Sequence, residues 1–267
     1  MKRNPAVAGQ FYPLRAASVE KQVFEFIGKP AVKTNAIGIV CPHAGYIYSG
    51  PVAGSVYSKI ELKPTYIIIG PNHTGRGKPY SIMSEGTWTM PQGDVEIDAD
   101  LAKALLHKSE FLEEDFLAHA YEHSIEVQLP FLQYFKKAFK FVPIIISYAE
   151  GHIYQAIGKE LAEALKASKK DALIIASSDM THYEAQEDAR SKDMKAIEAI
   201  LRLNEEELIK RVEGLDISMC GYAPVSVMLS AAKELGAKSA ELVKYQTSGD
   251  ASGDYSSVVG YAGIIVK

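Results

Sequence analysis

Three apolar, β-branched runs of the chain each end in a loop that carries a histidine. The runs read AIGIV-CPHAG, YIIIG-PNHTG and ALIIA-SSDMTH, and the histidines are His43, His73 and His182. A short apolar run closed by Gly, Pro, Asn or Ser is typical of a buried strand followed by a turn. Ligands of open α/β sheets bind at the carboxyl ends of the strands. A lone histidine is usually a packed residue, but three at equivalent positions predict one shared pocket.

Strand-like runs alternate with segments of helical periodicity along most of the chain. We expect strands over residues 36–41, 66–70, 141–147, 172–176, 241–246 and 258–266. We expect helices over residues 14–27, 52–60, 98–108, 122–139, 153–167, 184–203, 205–212 and 223–235, with Asp98 and Asn204 as N-caps of the third and seventh. This alternation predicts an α/β fold with a mostly parallel central sheet flanked by helices. Residues 79–95 are interpreted as an inserted hairpin or a loop excursion, and the absence of a linker predicts a single domain over residues 1–267.

The composition of the chain argues against a nucleic-acid-binding or a membrane protein. The chain has 267 residues and a formal net charge of −4, without a run of Lys and Arg. Neither nucleic acid nor an anionic membrane is therefore an expected partner. No segment has the roughly 20 apolar residues of a membrane span. With two cysteines and no secretory signal pattern at the N-terminus, we expect a cytoplasmic protein with free thiols.

The loops around His43 and His182 offer further polar groups. Pro42 removes a backbone donor, so His43 is expected at the tip of its strand. Tyr46 and Tyr48 are candidates for a pocket wall, with ordinary packing as the alternative. Asp179 lies three residues before His182 and could orient that imidazole or accept its proton. Its alternative role is to cap the following helix.

The segment from residue 119 to residue 126 reads HAYEHSIE. His119, Glu122 and His123 match the H-x-x-E-H motif of inverted zinc peptidases. That motif requires a helix through both histidines, whereas helical periodicity begins only near Glu122. We therefore interpret His119 as a loop residue and regard a peptidase as the weakest of the functional alternatives. Glu126 is equally compatible with an exposed helix position.

The segment MCGYAP carries the second cysteine, Cys220, just before an apolar helix. The positive end of a helix dipole lowers the pKa of a nearby thiol and favours the thiolate, which is the form that binds metal. Cys220 is thus a candidate ligand or nucleophile, although a small buried hydrophobe is the simpler interpretation of either cysteine.

Taken together, these motifs resemble the Memo family, also described as component B of the AmmeMemoRadiSam system. The matching segments are NPAVAGQFYP, CPHAGYIYSGPVAG, GPNHTG, AYEHSIEVQLPFLQ, SSDMTHY, CGYAPV and GDASGDYSSVVGYAGI, and they extend from residue 4 to residue 264. The resemblance implies a fold similar to that of class III extradiol ring-cleaving dioxygenases. Those enzymes hold Fe(II) with two histidines and a glutamate.

The resemblance also implies roles for individual residues. By position, His43 and His73 look like the two histidine ligands, and Cys220 takes the place of the glutamate. His182 corresponds to the acid/base histidine of the dioxygenases, with Asp179 beside it, and His123 lines the same cavity; these three are the candidate catalytic residues. Because a thiolate is a softer ligand than a carboxylate, the implied metal is iron or copper, with zinc as a further candidate.

Two functions remain open from the sequence. The first is a metal-dependent redox enzyme, oxygenase-like, that acts on a small molecule. The second is a non-catalytic module that uses the old metal cleft to bind a peptide or a protein. Family resemblance further suggests AmmeMemoRadiSam proteins as partners, and in animals the family is associated with phosphotyrosine peptides.

Overall fold

A computed structural model describes residues 1–27, 32–136 and 138–267. The strands are β1 (Lys2–Arg3), β2 (Gly38–Cys41), β3 (Thr65–Pro71), β4 (Tyr80–Ile82), β5 (Thr87–Trp88), β6 (Val95–Ile97), β7 (Glu113–Glu114), β8 (Lys140–Ile146), β9 (Ala172–Ser177), β10 (His182–Glu184), β11 (Ala240–Thr247) and β12 (Val258–Val266). The helices are α1 (Ala16–Phe26), α2 (Tyr46–Tyr57), α3 (Ala99–Lys108), α4 (Leu117–Ala120), α5 (Leu129–Phe135), α6 (Gly151–Ser168), α7 (Gln186–Leu201), α8 (Glu205–Gly214), α9 (Tyr222–Glu234) and α10 (Gly249–Ser252). A 3-10 turn covers Glu126–Gln128.

The strands form one sheet whose centre is parallel. Its order is β1-β5-β6-β8-β3-β9-β2-β12-β10, with β11 and β4 paired beside β12 and β8. From β6 to β2 every neighbouring pair is parallel, and β12 then joins β2 in the antiparallel direction. All seven residues of β3 are buried, as expected of a strand covered on both faces. The predicted α/β fold with a mostly parallel sheet is confirmed.

Helices cover both faces of this sheet. A side chain at Gly38 of β2 would meet Met228 of α9. Val266 pairs with Gly38 and therefore faces the same way, so Gly263, an odd number of positions along β12, faces the opposite side. There a side chain would meet Val52 and Val56 of α2. Helices α6 and α3 pack behind α9, and α1 packs on α2.

The register of the central strands brings their carboxyl ends together. Cys41 at the end of β2 pairs with Ser177 at the end of β9, and Ile69 near the end of β3 pairs with Ala176. The loops that follow these three strands therefore leave the same edge of the sheet. These loops contain His43, His73 and Asp179.

Several predicted boundaries shift for identifiable reasons. The helix expected over residues 122–139 is present only as the 3-10 turn and α5, with Pro130 in its first turn; Lys137 lies outside the described residues. Residues 122–125 instead form a loop in which Glu122 and Ser124 are buried, as described below. Helix α2 begins at Tyr46, six residues earlier than expected, and includes Pro51.

Other local predictions are confirmed. Asp98 caps α3 by accepting the N–H of Leu101 at 3.1 Å, and Asn204 caps α8 by accepting the N–H of Glu207 at 2.9 Å. The excursion over residues 79–95 contains the expected antiparallel pair, β5 with β6, but β4 and β1 extend it along the sheet. None of the helices in the described ranges is long and apolar enough to cross a membrane.

Candidate functional site

Three imidazoles converge at the carboxyl edge of the sheet. His43 follows β2, His73 follows β3, and His123 lies in the loop between α4 and the 3-10 turn. One ring nitrogen from each lies within 4.8 Å of the other two. Two nitrogens bound to one metal at about 2.1 Å and at a tetrahedral angle are about 3.4 Å apart. The three histidines could therefore hold a metal ion after side-chain movements of up to about 1 Å.

His43 is held rigidly from two directions. Its backbone N–H donates to Asp179 Oδ1 at 2.7 Å, and its Nδ1 lies 3.0 Å from Ser177 Oγ. The side chain is only 2% exposed. Burial, together with the nearby rings of His123 and His73, lowers the pKa of His43 well below its usual value. His43 is therefore neutral near pH 7, which is the form that binds metal.

His73 is paired with a buried carboxylate, Glu122. The His73 backbone N–H donates to Glu122 Oε2 at 2.7 Å, and Nδ1 lies 2.9 Å from Oε1. Oε1 also accepts the backbone N–H of Ser124 at 2.9 Å. Although burial opposes ionisation, the contacts with His73 lower the pKa of Glu122 to about 2. Burial likewise opposes a charge on His73, but Glu122 raises the pKa of that imidazole.

His123 completes the group and is more apolar in its surroundings. Its ring stacks on His73 at a centroid distance of 4.7 Å and meets the edge of Phe11 at 4.9 Å. Its Nδ1 lies 3.5 Å from Glu122 Oε1. Burial lowers the pKa of His123 to about 4. The sequence interpretation placed His123 in the cavity wall, and the structure places it among the metal-competent nitrogens.

Cys220 lies next to this group but is not part of the three-nitrogen set. Its Sγ is 3.1 Å from His43 Nε2 and accepts the backbone N–H of Asp179 at 3.4 Å. The residue precedes Gly221, the N-cap of α9, as expected. The expected lowering of the thiol pKa is wrong, because burial raises the pKa of Cys220 well above its usual value. Cys41 is buried, and both thiols are free.

Asp179 and His182 both line the cavity, but the hydrogen bond predicted between them is not formed. Asp179 binds the backbone of His43, as described above. The Nδ1 of His182 instead lies 2.9 Å from the carbonyl oxygen of Ser218, and its backbone N–H donates to Ser218 Oγ at 2.7 Å. A carbonyl only accepts, so His182 carries its proton on Nδ1 and leaves Nε2 free. Asp179 does not cap a helix either, since β10 follows it; burial raises its pKa.

A cavity of about 720 Å³ opens over these groups. Four histidines line it: His43, His73, His123 and His182. The lining also includes Gln10, Phe11, Ile47, Tyr48, Tyr183, Ser248, Ser252, Asp254, Ser257, Val259 and Tyr261. Tyr48 thus lines the cavity as expected. Tyr46 does not, because its ring is buried and its hydroxyl donates to the carbonyl of Val127 at 2.7 Å.

The H-x-x-E-H residues do not act together. His119 lies in α4 and not in a loop, so that interpretation was wrong. It is fully buried, with Nε2 3.1 Å from Ser81 Oγ, and it does not belong to the three-histidine group. The peptidase arrangement is therefore not formed. Glu126, interpreted as compatible with an exposed position, is also fully buried and pairs with Arg3 at 2.7 Å. Glu122, which was assigned no role beyond the motif, holds His73; its place between two histidines was the only local signal.

Comparison with known proteins identifies the family. Residues 3–265 match the family model described as Memo-like protein. The chain belongs to the Memo family. It is 48% identical to a MEMO1 family protein of Methanococcoides burtonii over 267 residues, covering 99% of this chain and 100% of that one. It is 46% identical to a MEMO1 family protein of Aquifex aeolicus over 265 residues, covering 98% of each.

A solved structure supports the fold of this Memo-family chain. The uncharacterized protein JW3007 from Escherichia coli K12 superposes with a TM-score of 0.58 and 13% sequence identity. The match covers 85% of this chain and 98% of that one. At such low identity the similarity concerns the fold alone.

Proposed function

We propose that this Memo-family protein binds a transition metal at the carboxyl edge of its sheet and uses it in redox chemistry on a small molecule. The observation that carries the proposal is the convergence of His43, His73 and His123 beneath an open cavity. Buried imidazoles repel one another when protonated, and burial already keeps two of these three neutral near pH 7. A set of neutral imidazoles in a cleft is what a metal requires.

The proposed ligands are His43, His73 and Cys220, with His123 as a competing third ligand. Cys220 is favoured by its sulfur, which lies 3.1 Å from His43 Nε2. His123 is favoured by the mutual closeness of the three nitrogens. A site with a thiolate ligand favours iron or copper. A site of three imidazoles would accept zinc as readily as iron or copper. A bound metal would supply Lewis acidity and, for iron or copper, an electron.

Cavity residues would then position the reactant and move protons. His182 offers a free Nε2 toward the cavity while Ser218 holds its other nitrogen. It is suited to take a proton from a bound hydroxyl group and to return it. Asp179 holds the backbone of His43, so we assign it a positioning role.

The alternative is a non-catalytic binding module for a peptide or protein, including an AmmeMemoRadiSam partner. One observation favours it: Tyr48 and Tyr183 are 39% and 78% exposed at the cavity. Exposed tyrosines are common at sites that bind peptides and proteins. Both functions are compatible with the cytoplasm, which we propose because the two thiols are free.

Metal analysis of the protein separates the two functions. The chain would be purified without oxygen, reconstituted with Fe(II), Cu(I) or Zn(II), and assayed for bound metal. Stoichiometric iron or copper, lost in His43→Ala and retained in the control His152→Gln, supports the redox proposal; His152 is an exposed histidine outside the cavity. Failure to bind any of these metals would contradict it and leave the binding module.

Single substitutions then identify the third ligand. We expect Cys220→Ser to lose the metal more severely than His123→Asn if sulfur is the ligand, and the reverse if the site has three imidazoles. His182→Ala should retain the metal while turnover falls. Loss of the metal in His182→Ala would make His182 a ligand and overturn its proposed acid/base role.

A further inference from the structure

Each of the two strand-end histidines has one ring nitrogen occupied by an outer hydrogen-bond partner. The other nitrogen, Nε2, faces the proposed metal site, where that of His43 lies 3.1 Å from Cys220 Sγ, the proposed third ligand. Which nitrogen carries the proton in a neutral imidazole is decided by such partners. The partners of His43 and His73 can be resolved by counting donors and acceptors.

At His73 the partner can only accept. The two oxygens of Glu122 already accept two backbone N–H groups, those of His73 and Ser124, and Oε1 also lies 2.9 Å from Nδ1 of His73. A carboxylate among such donors offers lone pairs and no proton. Nδ1 of His73 therefore carries a hydrogen.

At His43 the partner is a hydroxyl, Ser177 Oγ, which could donate or accept. Its single hydrogen is committed elsewhere, because Oγ lies 2.6 Å from the carbonyl oxygen of Ser124, and a carbonyl only accepts. The remaining question is how Ser177 uses its two lone pairs.

Gln128 answers that question. Its amide nitrogen lies 3.0 Å from the carbonyl oxygen of Pro42, so this end of the amide must be the NH₂ group. The same nitrogen donates to Ser177 Oγ at 2.9 Å, while the amide oxygen accepts the hydroxyl of Tyr57. Gln128 thus fills one lone pair of Ser177. The other is left for His43, whose Nδ1 must be the donor.

We propose that Glu122 and Ser177 are positioning residues that lock His73 and His43 in the Nδ1–H tautomer before any metal arrives. The Nε2 atoms of both rings then carry lone pairs for a metal, and that of His43 accepts from the Cys220 thiol until a metal takes its place. The tautomers are properties of the metal-free protein and do not depend on the proposed function. Only their purpose, which is to prepare a metal site, rests on the proposed function. A carboxylate and a hydroxyl in this role typically raise metal affinity by about 10–100-fold.

The direct test is ¹⁵N NMR of imidazole-labelled, metal-free protein at a pH high enough for both rings to be neutral. We expect His43 and His73 to show Nδ1 protonated and Nε2 bare, the reverse of the form that free histidine prefers. Two Nε2–H rings, or a mixture of tautomers, would overturn the proposal whether or not metal binds. If the tautomers are as stated but no metal binds, only the proposed metal function fails.

Glu122→Gln tests the consequence for binding. A glutamine at position 122 turns one carboxylate oxygen into a donor. The new NH₂ group then faces either the backbone N–H of His73 or its Nδ1–H, so two donors meet. We expect the metal dissociation constant to rise by about 10–100-fold and the His73 ring to lose its single Nδ1–H form. The control Glu113→Gln removes an exposed carboxylate and should change neither quantity.

Ser177→Ala provides the second variant. It removes a neutral acceptor, so we expect a smaller loss of affinity than in Glu122→Gln and a tautomer change confined to His43. A weakened metal site with an unchanged His43 tautomer would show that Ser177 acts only through packing, and that part of the proposal would fail. The same result at His73 in Glu122→Gln would overturn the role of Glu122.

Discussion

The segment from His119 to Glu126 has two sides, and each contains a buried glutamate whose charge is compensated in a different way. Its packed side carries His119 and Glu126, which face the N-terminal strand β1 and the core. Its pocket side carries His123, which lines the cavity, and Glu122, which binds the cavity histidine His73. Glu122 and Glu126 are both fully buried, although they differ in what compensates the charge.

On the packed side the compensation is permanent. Glu126 accepts the Arg3 guanidinium and the backbone N–H of Ala6 on Oε2, both at 2.7 Å. Oε1 accepts the backbone N–H of Val7 at 3.1 Å and the hydroxyl of Tyr12 at 2.5 Å. An arginine does not lose its charge in proteins. This side therefore serves to attach the N-terminal segment.

On the pocket side the compensation comes from His73, whose charge can change and whose second nitrogen can bind a ligand. The Arg3 guanidinium compensates the buried carboxylate of Glu126 but offers no atom to a ligand. The His73 imidazole compensates Glu122 through Nδ1 and keeps Nε2 available for a ligand. The difference predicts that packed-side substitutions reduce stability and that pocket-side substitutions reduce ligand binding.

The largest expected effect is that of Arg3→Met. It leaves Glu126 buried without its cation, and it also removes donors to the carbonyls of His119 and Glu122. We expect a loss of about 3–5 kcal/mol in the free energy of unfolding, measured by urea denaturation. Lys2→Met, which breaks only an exposed ion pair with Asp94, is the control and should unfold like the parent chain. Equal effects of the two substitutions would contradict a stabilising role for the packed side.

Acid should weaken the fold through the buried histidines. Burial lowers the pKa of His119 to about 3 and that of His123 to about 4, whereas an unfolded histidine titrates near 6.5. Below about pH 6.5 the unfolded chain gains protons that the folded chain does not, so stability is full above that pH and falls toward pH 3. Each such histidine contributes a slope of about 1.4 kcal/mol per pH unit.

The pH slope distinguishes the two sides. His119→Gln should reduce the slope of the free energy of unfolding against pH from about pH 6.5 down to about pH 3. Urea denaturation at several pH values measures that slope. His123→Gln should flatten it only to about pH 4, because His123 begins to accept a proton there. An unchanged slope in His119→Gln would mean that His119 titrates normally in the folded state.

A smaller loss is expected from Tyr12→Phe. The substitution removes one of four donors to Glu126 while the ring remains packed. A buried hydrogen bond to a charged group contributes about 1.5–3 kcal/mol, and we expect the midpoint of urea unfolding to fall accordingly. Metal affinity should be retained. Tyr255→Phe, at an exposed tyrosine, is the matched control. If Tyr255→Phe lowered the free energy of unfolding as much as Tyr12→Phe, the loss in Tyr12→Phe could not be attributed to its hydrogen bond with Glu126.

The smallest change in stability is expected on the pocket side, from His123→Gln. Three imidazoles held together gain little from one another without a ligand, and residues that serve a site often contribute little to folding. We expect the unfolding free energy at pH 7 to change by less than about 1 kcal/mol. A loss as large as that of Arg3→Met would show that the two sides do not differ as described.

Much of the frame is encoded locally and could be predicted. The apolar runs before His43, His73 and Asp179 became β2, β3 and β9, because β-branched residues closed by Pro, Gly or Ser favour buried strands. Parallel pairing then brought their ends to one edge. The caps Asp98 and Asn204 are equally local, since each needs only the residue three positions ahead.

Tertiary structure alone decided the chemistry of the site. Glu122 meets His73 across 49 positions and Ser177 meets His43 across 134, contacts that no local spacing encodes. The helix predicted to start at Glu122 is replaced there by a loop, in which the Glu122 carboxylate accepts the backbone N–H groups of His73 and Ser124. At Cys220 the helix dipole predicted a low thiol pKa, but burial has the larger effect and raises it. Sequence alone thus determined which residues reach the sheet edge. Long-range packing decided which are buried, which nitrogens are protonated, and which remain free to bind.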